Sequence, residues 1–167
     1  MKTETLLPAT VAECERVLER FPDLSASGFD SYFVAADARE NARRARDGLP
    51  PRIREPTKSL IDGDARQWIA RARAFLQANC WQTKTIRRKS TYYSYTLKHC
   101  AERWVRETFA RSAEVPYVSN GALIAAAHLE GYTIEPCDHC AFFNLSFTRD
   151  YRISLRQRYR PYPSRGF

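Results

Sequence analysis

The sequence predicts a mainly α domain with a small antiparallel β-element near its C-terminus, an α+β fold. Three observations carry that reading. Apolar residues recur at helical spacing in four stretches before Gly131. After Gly131 the pattern shortens to that of strands, in GYTIEPC and AFFNLSF. And 167 residues suffice to bury a core without disulfide or metal staples.

The elements follow in order. Thr10-Val11-Ala12-Glu13 has the form of a capping box, and Val11, Cys14, Leu18 and Phe21 continue at helical spacing until Pro22 stops the helix. A second helix is expected from about Phe29 to Asp47, closed by Gly48 and Pro50. Its later part, ARENARRARD, is polar nearly all round and reads as a solvated face. LPPRIREPTKS (49–59) has three prolines and no periodicity, which suits a linker or an extended arm. The division this suggests is an N-terminal helical part with its Pro-rich linker, 1–57, and a basic helical core with a C-terminal hairpin and an Arg/Tyr-rich tail, 58–167.

The third helix should begin at Asp62 or Asp64 and run to about Asn79. Ala65, Trp68, Ile69, Ala72, Phe75 and Leu76 share its inner face, with Arg66, Arg71 and Arg73 away from it. Ser90 or Thr91 is placed to cap the fourth, whose inner stripe reads Tyr93, Leu97, Cys100, Ala101, Trp104 and Thr108. Ser119 caps the fifth, from about Asn120 to Glu130, with Leu123, Ile124, Ala127 and His128 as buried candidates. YRISL (151–155) is expected as a third strand, and RQRYRPYPSRGF as an extended strand or arm. Helix, turn, helix and hairpin in this order also admit a helix-turn-helix or winged-helix arrangement. In that plan NGALIAAAHLEG is too apolar to read a groove, and the basic lead-in to the fourth helix is the better contact surface.

Charge points to a partner class. Residues 1–82 hold 13 Lys/Arg against 12 Asp/Glu, whereas 83–167 hold 14 against 7. Nearly all of the formal +8 therefore lies in the C-terminal half, the footprint expected of a surface that meets a polyanion. Lys84, Arg87, Arg88 and Lys89 stand at a helix entrance beside Ser90, Tyr92 and Ser94. Ammonium and guanidinium groups, hydroxyls and helix-terminal amides each favour phosphate. Tyr95 and Lys98 extend the set along the helix, and Tyr92 and Tyr95 are candidates for stacking on bases. A second cluster, Arg149, Arg152, Arg156, Arg158, Arg160 and Arg165, alternates with Tyr151, Tyr159 and Tyr162, a pattern suited to tracking a backbone with stacking. The expected partner is nucleic acid, with DNA the first candidate and backbone contact outweighing base readout.

Other chemistries find less support. Cys137-Asp138-His139-Cys140 offers two thiolates and an imidazole at chelating spacing, a candidate zinc site, but no second pair at standard spacing completes it. His99 and Cys100 are neighbours on one helix and point about 100° apart. No motif places a cysteine near a histidine with an orienting carboxylate, no glycine-rich loop cradles phosphate, and His128 reads as a packed histidine. Neither a catalytic set nor a cofactor is expected. Five cysteines at irregular spacing, a start without a signal-peptide pattern, and an apolar run at Ala122–Ala127 too short for a bilayer point to a reduced cytoplasmic protein with no membrane partner.

SYTLKHCAERW (94–104), YVSNGALIAAAHLEGY (117–132) and AFFNLSF (141–147) together resemble a family of small uncharacterised proteins of bacterial plasmids, phages and integrated elements, over roughly residues 88–147. The resemblance implies a bacterial cytoplasmic setting and a mobile-element role, and brings no catalytic residues with it. It also opens a competing reading, a protein-binding effector that inhibits a host defence or nucleic-acid-processing complex.

Overall fold

The computed structural model describes residues 6–89, 92–109 and 116–158, with side chains to Leu155. Among these, six helices and six short strands form a mainly α, α+β fold.

The fold is organised around its most apolar helix, α5 (Asn120–Leu129), in which every residue from Asn120 to Ala127 is buried. A helix apolar on all sides must be surrounded. Here α1 (Val11–Arg20), α3 (Gly63–Asn79) and α4 (Ser94–Thr108) enclose it. Its alanines let these neighbours come close. Ser119 caps it, its hydroxyl accepting from the Ala122 amide at 3.2 Å. With no free face, α5 has nothing to lay in a DNA groove, so the fold does not use it as a winged-helix recognition helix.

The expected capping box opens α1: Thr10 Oγ1 accepts from the Glu13 amide at 3.2 Å, and the Glu13 carboxylate accepts from the Thr10 amide at 2.8 Å. Cys14 and Val17 are its buried residues. Arg73 of α3 then joins three helices, donating to Glu13 of α1 at 2.8 Å and to Glu130 at the end of α5 at 2.7 Å. Arg71, expected on the outside, is instead 8% exposed and donates to the Tyr117 carbonyl at 3.3 Å. Packing on α5 makes the buried arc of α3 wider than its apolar pattern.

A two-residue hairpin absent from the sequence reading follows α1. Its strands, β1 (Leu24–Ser25) and β2 (Gly28–Phe29), pair Leu24 with Phe29 and Ser25 with Gly28. From it rises α2 (Asp30–Arg46), none of whose residues is buried. Residues 49–57 return alongside α2 as an extended arm. Asn41 accepts from the Arg52 amide at 2.7 Å and donates to the Arg52 carbonyl at 3.2 Å, and Arg54 pairs with Asp37. No boundary falls at 57/58: the Ala26 amide donates to the Lys58 carbonyl at 2.9 Å, and Cys14, Val17 and Phe29 share one core with Leu60, Phe75 and Leu123.

The β-element is more divided than the sequence suggests. β3 (Cys80–Gln82) pairs antiparallel with β6 (Leu145–Phe147), while β4 (Ile134–Cys137) pairs with β5 (Cys140–Phe143). AFFNLSF is thus two strands with different partners, and Asn144 is the break. The Asn144 side chain accepts from the Thr133 amide at 2.6 Å and donates to the Thr83 carbonyl at 3.0 Å, while its own carbonyl accepts from the Thr83 amide at 2.7 Å. One asparagine so ties the exit of β3 to the entrance of β4.

The strand expected at 151–155 is a helix, α6 (Arg149–Arg158). Tyr151 and Leu155 both pack on the core, and their spacing of four is helical. Tyr151 meets Phe75 and Phe147 with ring centroids 5.5 and 5.0 Å away. No helix among the described residues is long and apolar enough to cross a membrane.

Candidate nucleic-acid interface and an aromatic cleft

The segment between β3 and α4 carries the first predicted basic cluster. Lys84, Arg87, Arg88 and Lys89 are all exposed. Arg88 is engaged by Glu135 of β4 through two bonds of 2.6 Å, which hold the Glu135 carboxyl below its usual range. The Arg87 guanidinium lies 5.9 Å from the Tyr92 ring centroid. Lys84 and Lys89 form no ion pair among the described residues. Ser90, expected to cap α4, lies outside them; α4 begins after Tyr93 with no side-chain cap.

Two of the expected contact residues are placed elsewhere. Tyr92 is buried, its ring 5.5 Å from that of Phe147 and its hydroxyl 3.4 Å from Ser146 Oγ, so it fills the space between α4 and β6 rather than stacking on a base. Lys98 is also buried, at 8% exposure. The inward face of α4 is Ser94, Leu97, Lys98, Ala101 and Val105, rotated from the apolar stripe. The rotation brings the Ser94 hydroxyl to accept from the Ala141 amide at 3.1 Å, anchoring α4 to β5.

On α6, Arg149 and Arg152 are exposed; the side chains of Arg156 and Arg158, and all of Arg160, lie outside the described residues. The two basic groups flank the β3–β6 ladder. Lys84 follows the end where Gln82 meets Leu145, and Arg149 follows the other, where Cys80 meets Phe147. About 7 Å of paired strand separates these ends.

Lys98 belongs to a different feature, an open cleft of about 320 Å³. Phe33 of α2, Tyr95 and Lys98 of α4, Tyr117, Asn120 at the start of α5, and His139 in the β4–β5 turn line it. These residues span more than a hundred positions in sequence, which is why pattern reading did not group them. Two glycines let the segments meet. A Cβ on Gly28 would sit 1.9 Å from the His139 carbonyl oxygen, and one on Gly121 would sit 1.7 Å from that of Ser25. The Lys98 ammonium lies 5.2 Å from the Tyr95 ring centroid and 5.5 Å from that of Tyr117. Trp68 supports Tyr117 edge-on at 4.8 Å.

The metal reading does not gather a ligand set. Cys137 and Cys140 stand opposite each other across the hairpin. His139 points away to Tyr32 and Phe33, with ring centroids 5.1 Å from each. Cys140 is fully buried, its sulfur accepting from the Asn120 amide at 3.4 Å. Burial and the neighbouring Asp138 push the Cys137 thiol up, away from the thiolate a metal needs. Among the described residues no three His, Cys, Asp or Glu side chains are grouped to hold an ion. His128 is packed against Phe21, with centroids 5.4 Å apart.

Fold and surface together define a basic α+β domain built around one buried helix. Compared with protein-family models, with curated proteins and with solved structures, the chain matches none.

Proposed function

We propose that this chain is a non-catalytic nucleic-acid-binding protein that contacts mainly the phosphate backbone, DNA before RNA. The supporting observation is the exposed segment from Lys84 to Lys89, where three of four cations have no carboxylate partner among the described residues. Arg149 and Arg152 add two exposed guanidinium groups at the far end of the β3–β6 ladder. Tyr92 and Lys98 are left out of this surface because both are buried. The setting that goes with this reading is the bacterial cytoplasm and the accessory functions of a mobile element.

Fluorescence anisotropy with labelled single- and double-stranded DNA and RNA, repeated across a salt series, tests it. Five neutralised phosphates give a log–log slope of about −4.5 on duplex DNA and about −3.5 on single strands. A flat salt profile removes the proposal.

A second reading, an effector that covers a host defence or nucleic-acid-processing complex, is favoured by the α2 arm. Val34 and Ile53 are 69% and 89% exposed there, and α2 buries nothing in the core. Purification separates the two. Nucleic acid carried through and released by high salt, seen as a falling ratio of absorbance at 260 to 280 nm, supports the first. A nucleic-acid-free preparation that captures one host protein supports the second.

A further inference from the structure

The cleft holds polar groups that the fold leaves without partners. Lys98 is buried and only partly served: its ammonium has three donors, and among the described residues it makes one ion pair, with Glu102 Oε1 at 3.5 Å. That oxygen is already engaged by the Val118 amide at 3.3 Å, and the other Glu102 oxygen by His99 at 2.9 Å. Asn120 is 5% exposed, and its Oδ1 has no partner among the described residues. Its orientation is fixed, because its amide nitrogen donates to the His139 carbonyl at 2.8 Å and to Cys140 Sγ at 3.4 Å. His139 Nδ1 is likewise unpaired. A buried polar atom without a partner is expensive, so two such atoms on cleft-lining residues, beside a lysine held by one 3.5 Å bond, call for an occupant.

The surroundings define its chemistry. Among the described residues no acidic side chain lines the cleft. Both α4 and α5 start at it, and neither has an acidic residue in its first turn, so their positive ends add to the Lys98 charge. These features favour an anion. Tyr95 and Tyr117 stand half-exposed at the opening, at 49% and 42%, with Phe33 also in the lining. Aromatic faces favour a planar ring. The free Oδ1 of Asn120 requires a hydrogen-bond donor on the occupant. The volume falls at the lower end of small-molecule sites.

We propose that this cleft binds a nucleoside monophosphate, with the phosphate on Lys98 and the adjoining helix starts, the base against Tyr95 and Tyr117, and a ligand N–H or O–H on Asn120. The site is separate from the basic surface of residues 84–89, and occupancy does not depend on whether that surface binds nucleic acid.

Isothermal titration of the full chain with 5′-AMP, adenosine and inorganic phosphate tests this. The expected result is saturable binding of AMP, about tenfold or more weaker for adenosine and for phosphate alone. Lys98→Met lowers AMP affinity about tenfold, the loss of one charge-assisted bond. Tyr95→Ser, at a half-exposed position that does not endanger folding, weakens AMP but leaves phosphate unchanged. Lys84→Ser leaves AMP binding intact. Absence of saturation at millimolar AMP overturns the proposal. So does AMP affinity indifferent to Tyr95→Ser and Lys98→Met; where Lys98→Met fails to fold, AMP affinity indifferent to Tyr95→Ser alone overturns it.

Discussion

The Asn120 side-chain amide donates a 2.8 Å hydrogen bond to the backbone carbonyl of His139, joining the first residue of α5 to the β4–β5 turn. The same carbonyl accepts from the Phe29 amide at 3.3 Å. One oxygen therefore docks the β1–β2 hairpin, the central helix and the C-terminal hairpin at a single point. The cleft lies beside it.

Docking this close needs glycine. Gly28 has a φ of +119°, and its missing Cβ is filled by the His139 carbonyl. Gly28→Ala, from backbone strain and overpacking, and Gly121→Ala, from overpacking alone, are each expected to cost about 3 kcal/mol in urea unfolding. Gly63→Ala, with nothing within 4 Å of its Cβ, stays within about 1 kcal/mol of the parent. Equal stabilities across the three would contradict the packing described.

Asn144→Ala removes the partners of the Thr133 amide and the Thr83 carbonyl at once. The expected loss is about 2 kcal/mol, since both backbone groups lie at partly covered positions. Hydrogen exchange offers a sharper check: the Thr133 amide should lose protection in the variant while the amides of α5 keep theirs.

His128 makes stability depend on pH. Burial, and after it the positive charges of Arg20 and Arg16, hold its imidazole below the ordinary value of 6.5. The folded protein therefore prefers the neutral ring, and the unfolded chain binds more protons. The contribution is complete above the unfolded value and is lost as pH falls from there toward the lowered folded value. Urea midpoints measured between about pH 7.5 and 5 should fall for the parent and fall less for His128→Gln.

The basic segment yields a charge prediction of both signs. Lys84→Ser and Lys89→Ser should each reduce the salt slope of nucleic-acid binding by about one. Glu135→Gln should strengthen binding at low salt, because it frees the Arg88 guanidinium. A Glu135→Gln variant with unchanged affinity would place Arg88 away from the contact.

Particular elements show how far pattern reading goes. The α1 capping box, the Ser119 cap and the all-apolar run of α5 are local signals, and each folds as its spacing demands. The β1–β2 hairpin is too short to have a pattern. YRISL carries β-branched and aromatic residues, yet Tyr151 and Leu155 need the same face, and helix supplies it. Of the candidate contact residues, the cations of 84–89 are exposed as expected, while Tyr92 and Lys98 turn inward.

The sequence by itself determined that this is a mainly helical, basic domain with a short β-element, because hydrophobic period, caps and net charge are properties of neighbouring residues. Only the tertiary structure decided which way α4 rotates, and so which lysine is surface and which is buried. That choice is set by what packs on α5 and β5 from far along the chain, and the cleft of Lys98, Asn120 and His139 exists only as a product of that packing.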